Sequence, residues 1–239
     1  QRAAVDGIDL DIASGEVFAL LGPNGAGKTT TIEILEGFRQ RDGGEVTVLG
    51  VDPQGAGRSW RNRVGIVLQT STGLDLLTPR EALRSTAAFY DRPRPVDEVI
   101  GAVGLQDKAD DRIAGLSGGQ RRRLDVALGI VGQPDLLFLD EPTTGFDPQA
   151  RRTFWELIRS LAAQGTTIVL TTHYLDEAEQ LADRVGVVAA GKLLAVDTPA
   201  HLGGRDAELA VVSWLEAGTR HSQSTAEPTA VVSALAARL

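Results

Sequence analysis

The chain of 239 residues is 42% apolar and 23% charged, the composition of a folded globular protein, not of a disordered or fibrous one. Its net charge of −8 argues against a broad nucleic-acid footprint, which needs a clustered basic surface. The absence of cysteine excludes disulfides and thiolate metal sites and is compatible with a reducing compartment.

In chain order, Ala4 to Ile12 is patterned as a strand; because the sequence opens there at Gln1 and holds no methionine, we expect residues to precede it. Val17 to Leu21 is a short buried-strand run, Gly22 to Gly27 a loop, and Lys28 to Leu35 the start of a helix. Strands are predicted at Glu45 to Leu49 and Val64 to Leu68, followed by a mostly helical stretch from Pro79 to Val103 that reads as a separate lobe. A helix from Gly118 places Leu124, Leu128 and Val131 on one face, and another from Gln149 does so with Phe154, Leu157, Ile158 and Leu161. Strands follow at Thr166 to Thr171, Val185 to Val188 and Leu193 to Val196, the last two joined through Ala190, Gly191 and Lys192. From about Gly203 the pattern degrades into short apolar runs around a polar stretch, Thr219 to Thr229, and reads as a tail or a truncated appendage. The alternation predicts an α/β fold, a parallel sheet covered by helices. None of its apolar runs approaches the roughly 20 residues of a membrane-spanning helix.

The firmest chemistry lies between the first strand and first helix, at Gly22, Pro23, Asn24, Gly25, Ala26, Gly27, Lys28 and Thr29, with Thr30 following. Glycines at these places let successive N–H groups converge on phosphate oxygens, and the helix adds its positive end. Lys28 supplies a point charge and Thr29 a hydroxyl suited to Mg²⁺. Only three residues are lysine, at 28, 108 and 192, in a chain that otherwise uses arginine. A compact ammonium fits inside a tight loop where a planar guanidinium would not. A chance glycine-rich turn is the plain alternative, and the strand-loop-helix setting weighs against it.

Asp140 and Glu141 end the apolar run LLFLDEP, which delivers two carboxylates to the carboxyl edge of a sheet. Asp140 suits the metal, leaving Glu141 to polarise an attacking water; alone, such a pair could equally cap the next turn. Ser117, Gly118 and Gly119 of LSGGQ, at a helix start, make a second anion site from exposed N–H groups and a hydroxyl.

With these motifs the chain resembles the ATP-binding subunit of ABC transporters over positions 3 to 202. The resemblance implies a P-loop NTPase with a RecA-like core (1–75 and 125–203), an antiparallel β subdomain, and a helical lobe bearing the signature (76–124), with 204–239 an extension of no assigned role. It implies ATP and Mg²⁺ as cofactors and makes Gln69 the Q-loop residue, contacting metal and water. Ser117, Gly118, Gly119 and Gln120 become a signature that closes over ATP held by a second subunit. TTGFD, with Phe146 where leucine is usual, becomes the D-loop ending in Asp147, and His173 the switch histidine at the γ-phosphate. The implied partners are a second ATPase subunit and a separate transmembrane permease docking near 70–112, with the chain peripheral on the cytoplasmic face of the membrane. DEPTTGFDPQARR and HYLDEAEQLADRV look most like bacterial multidrug and antibiotic exporter subunits. An importer subunit is the rival within the transporter class. An ATPase acting on DNA or ribosomes is the rival outside it, opposed by 46 residues without sustained heptads between Gln69 and Leu116 and by the acidic charge. Members of the family usually stack adenine on an aromatic residue upstream of the loop; none precedes Phe18, and we expect it in the preceding segment.

Overall fold

A computed structural model describes residues 3–67, 73–202, 210–216, 219–225, 229 and 235. By compactness the chain divides into residues 1–199 and 200–239.

The first unit is built on one sheet. Strands β1 (Val17–Leu21), β2 (Val64–Val67), β3 (Leu136–Asp140), β4 (Thr167–Thr172), β5 (Arg184–Ala189) and β6 (Lys192–Asp197) lie in the order β2-β3-β4-β1-β5-β6. The first five are mutually parallel; β6 is antiparallel to β5. β1, β3 and β4 are almost wholly buried, which is why they do not read as alternations: β1 and β3 are nearly continuous apolar runs, and β4 is largely β-branched and apolar through its centre. The two-residue turn between β5 and β6 uses Ala190 and Gly191 at φ 53° and 82°, the left-handed pair that matches the twist of a tight hairpin.

Sheet order departs from chain order at β1, which is inserted between β4 and β5. The carboxyl ends of β1, β4 and β3 therefore stand side by side, the place where open α/β sheets bind ligands. Phe18, Leu20, Ile32, Phe138, Val169 and Val188 form the core beneath them.

Helices are α1 (Lys28–Leu35), α2 (Arg58–Arg61), α3 (Pro79–Ala87), α4 (Val96–Ala102), α5 (Gly118–Ile130), α6 (Pro148–Ala163) and α7 (Leu175–Leu181). α6 carries its signals in sequence: Asp147 caps it by accepting from the N–H groups of Gln149 and Ala150 at 2.9 and 2.8 Å, Pro148 opens it, and Gly165 lies beyond it at φ 90°. Phe154, Ile158 and Leu161 are buried on its inner face. α3 starts with a capping box, Thr78 with Glu81. It packs with α4 and α5, and Arg80 ties α3 to α4 through Asp97 and to the segment before α5 through Asp110.

α5 lies directly on β2. A Cβ on Gly65 would sit 2.3 Å from the carbonyl oxygen of Gly129, so both positions require glycine for the helix to come this close. α5 runs unbroken through residue 124, so a lobe boundary at 124/125 falls inside a helix.

Two strand expectations are corrected. Ala4 to Ile12 forms no strand: Gly7, at φ 73°, interrupts the segment, and Ile8, Leu10 and Ile12 pack on the core as side chains without a paired backbone. Glu45 to Leu49 reduces to one bridge, Val48 with Val51, closed by Leu49 and Gly50 at φ 51° and 81° and anchored by Trp60 Nε1 donating to Val48 O at 2.9 Å.

The second unit holds a two-stranded antiparallel sheet, β7 (Ala210–Glu216) and β8 (Thr219–Thr225), with Trp214 and His221 opposed in register and their rings stacked at 5.6 Å. The polar stretch beginning at Thr219 is thus a strand to Thr225, not a tail; its serines, threonines and histidine carry no apolar alternation to announce it.

Candidate active site

The loop from Gly22 to Gly27 leaves β1 and enters α1 in the backbone shape that convergent N–H groups require. Gly25 and Gly27 have φ 77° and 106°. Gly27 is doubly constrained, because a Cβ there would also lie 2.4 Å from Ala4 O. The loop is braced from outside, with Gly191 N–H donating to Ala26 O at 2.9 Å and Asp6 N–H to Gly191 O at 2.7 Å.

Lys28 lies inside the loop at 4% exposure, Nζ donating to Gly22 O at 2.8 Å and Pro23 O at 3.2 Å. Its ammonium stands 3.5 Å from Glu141 Oε1. A pocket of about 390 Å³ is lined by Asn24, Gly25, Gly27, Lys28, Thr29, Thr30 and Glu141.

β3 delivers the acids. Thr29 Oγ1 lies 3.2 Å from Asp140 Oδ2, which sets a hydroxyl and a carboxylate together as hard oxygen donors. Among the described residues no three histidine or acidic side chains cluster as a metal cage, so a cation held by Thr29 and Asp140 would complete its shell with phosphate oxygens and water. Glu141 takes φ 43°, a left-handed conformation uncommon for a residue with a side chain. Its carboxylate also meets His173 Nδ1 at 3.5 Å and accepts from Thr144 Oγ1 at 3.3 Å. His173 follows β4, so three adjacent strand ends bring Lys28, Glu141 and His173 together.

The signature lies elsewhere. Ser117 caps α5, its hydroxyl accepting from Gln120 N–H at 3.2 Å while Gln120 Oε1 accepts from Ser117 N–H at 2.9 Å. Gly118 and Gly119 open the helix, where N–H groups lack intrahelical acceptors. Ser117 to Gln120 and Asp147 do not line the pocket at Lys28. Gln69 lies outside the described residues.

Several residues of this region carry no sequence motif. Thr171, fully buried, donates to Asp140 Oδ1 and accepts from Glu141 N–H. Arg122 reaches from α5 to the backbone of the β3 exit. Burial pushes the Glu177 carboxyl up, offset in part by hydrogen bonds from Thr172 and Trp155. Glu36, beyond α1, is pushed up to about 7 by burial first and then by the charges of Asp140 and Glu33. The adjacent threonines ending β4 were the available signal for Thr171; nothing local in RRR distinguishes Arg122 from its neighbours.

The ABC transporter family model matches residues 5–144. The chain is 45% identical over 204 residues to the daunorubicin/doxorubicin resistance ATP-binding protein DrrA of Streptomyces peucetius, covering 83% of this chain and 62% of that protein. It is 42% identical over 225 residues to the daunorubicin resistance ATP-binding protein DrrA2 of Streptomyces coeruleorubidus, covering 90% and 70%. It is also 42% identical to the Nod factor export ATP-binding protein I of Paraburkholderia xenovorans, covering 84% and 68%. Among solved structures, the dimeric post-hydrolysis ATP-binding cassette MJ0796 bound to ADP and Pi shares the fold, with TM-score 0.74 at 23% identity over 82% of this chain and 90% of that one. The cbiO1 subunit from Clostridium perfringens gives 0.73 at 27% identity over 83% of each. This chain belongs to the ABC transporter family, as an ATP-binding domain with the P-loop NTPase fold.

Proposed function

We propose that the chain binds and hydrolyses ATP as the energy-supplying subunit of an ABC exporter, at a site completed by a second ATPase subunit. The observation that carries this is the convergence of Lys28, Thr29, Asp140, Glu141 and His173 at three adjacent strand ends, with Glu141 Oε1 3.5 Å from both the Lys28 ammonium and His173 Nδ1.

Backbone N–H groups of Asn24 to Thr30 would hold the phosphates with Lys28. Thr29 and Asp140 would hold Mg²⁺, with Gln69 as a further ligand. The cation supplies charge neutralisation and polarisation of the transferring phosphoryl group. Glu141, not consumed by that cation, accepts a proton from the attacking water, and His173 contacts the γ-phosphate. Ser117 to Gln120 and Asp147 lie away from this pocket in a single chain, which supports their service to the nucleotide of a second copy. Asp147 also caps α6, so its position is fixed in either case.

No described helix is long and apolar enough to cross a membrane. We assign the spanning part to a separate permease, with the ATPase peripheral on the cytoplasmic face. Among the described residues of 70–112, Leu76 and Phe89 are exposed apolar side chains, 81% and 72% accessible, that could meet such a partner. The export direction rests on the drug-resistance and Nod factor export relatives; their cargoes are not carried over.

The test is the mass in solution of Glu141→Gln with and without MgATP, beside its turnover. A dimer formed only with MgATP, with turnover abolished, is the expected result. A monomer that binds ATP, or Glu141→Gln hydrolysing at the parental rate, would overturn the shared site or the base assignment respectively.

A further inference from the structure

Arg122 grips the backbone on both sides of Glu141. Its Nη2 donates to Asp140 O at 2.9 Å and its Nε to Pro142 O at 3.0 Å, so one planar guanidinium holds the two carbonyls that flank the acid. The group is 7% exposed. It is also tied to its own helix, with Nη1 3.8 Å from Asp125 Oδ2 one turn further along α5.

The grip falls on a residue held in a strained backbone conformation. Glu141 sits at φ 43°, a conformation that persists in a residue with a side chain only under outside constraint. Thr171 Oγ1 supplies one such constraint on the Glu141 N–H at 2.9 Å. Arg122 supplies two more on the residues either side, and it does so from α5, the helix whose capped first turn is the signature.

We propose that Arg122 is a positioning residue that transmits the seating of the signature on the partner copy's nucleotide to the Glu141 carboxylate of its own site. The inference rests on the readings of Glu141 as base and of the signature as acting across chains. A guanidinium is a rigid fork with donors in fixed relation. When α5 moves or turns, the fork carries the carbonyls of residues 140 and 142 together, so the peptide plane leading into Glu141 turns with the helix while the residue that follows the acid is held in step. An ammonium at the same place could hold either carbonyl but could not fix the angle between them.

The experiment compares Arg122→Gln and Arg122→Lys with the parental chain and Glu141→Gln, measuring ATPase rate against ATP concentration and MgATP-driven dimerisation. Arg122→Gln should lower kcat by about tenfold or more, leave half-saturating ATP within about twofold, and bring the Hill coefficient toward 1, with Arg122→Lys recovering only part. The double variant Glu141→Gln, Arg122→Gln should dimerise with MgATP as Glu141→Gln does, which separates a lost link from a lost fold. Parental kcat and cooperativity in Arg122→Gln, or a loss of kcat that tracks equal loss of ATP binding and dimerisation, would overturn the proposal. An inactive Glu141→Gln beside an unimpaired Arg122→Gln sinks the link alone; a Glu141→Gln protein with parental turnover sinks the base assignment and this proposal with it.

Discussion

Thr171 and Asp140 are register partners on the neighbouring parallel strands β4 and β3, and the Thr171 hydroxyl donates to the Asp140 carboxylate while accepting from the next residue's N–H. One buried hydroxyl thereby orients the proposed metal ligand and fixes the start of the Glu141 turn. Thr171→Val keeps the shape and removes both bonds, leaving a buried N–H and a carboxylate oxygen short of partners. We expect a stability loss of about 1–3 kcal/mol and a fall in kcat larger than the change in ATP affinity. Thermal unfolding and steady-state kinetics check the two parts; an unchanged kcat would show that Asp140 and Glu141 hold their places without Thr171.

Gly27→Ala should abolish nucleotide binding in a folded protein. The methyl would meet Ala4 O at 2.4 Å in a backbone of φ 106°, so the loop must open and its N–H groups diverge. Equilibrium binding of a fluorescent ATP analogue, alongside Lys28→Ala as the charge-only loss, distinguishes lost shape from lost charge. Wild-type binding by Gly27→Ala would mean that the close approach of Ala4 O to Gly27 does not set the loop's shape.

Asp147 has two assignments that one pair of variants separates. Asp147→Ala removes the cap of α6, at a cost of about 1 kcal/mol, or roughly 2–4 °C in Tm for a chain of this size. Asp147→Asn retains an accepting oxygen and should keep the Tm. If Asp147→Asn also keeps full ATPase activity, the residue serves the helix only.

Glu36 makes stability depend on pH. Its carboxyl is raised from 4.5 to about 7 in the folded chain, so between those values the folded state holds a proton that the unfolded state has released. Stability from this group is fully present below pH 4.5 and is lost as pH rises through about 7, a difference on the order of 3 kcal/mol. Glu36→Gln should flatten that slope in urea titrations between pH 5 and pH 8, and the variant should be the more stable protein at pH 8. An identical slope in both proteins would remove Glu36 as its source.

The sheet was legible because β1 and β3 are short, nearly continuous apolar runs and β4 is largely β-branched and apolar through its centre, as strands buried on both faces tend to be. The same physics hid Thr219 to Thr225, whose pairing is made by backbone and whose side chains are polar throughout. Ala4 to Ile12 misled in the opposite direction: the alternation of Ile8, Leu10 and Ile12 reports burial of side chains on the core, and burial is only half of what makes a strand. At the site, Lys28, Thr29, Asp140 and Glu141 were legible from spacing, while Thr171 and Arg122 were not. Their roles consist of bonds to backbone and side-chain atoms about 20 to 30 residues away, and a contact of that kind leaves no local pattern.

The scarcity of lysine has a use at the bench. The three side-chain amines differ sharply in setting: Lys28 is 4% exposed inside its loop, whereas Lys108 and Lys192 are 43% and 61% exposed on the surface. An acylating reagent that reads these amines by peptide mass will mark the outer two as constant references, and the inner one only when the loop releases it. The residue that would hold the phosphates is thus also a natural footprinting probe of the loop around it, with no label to introduce.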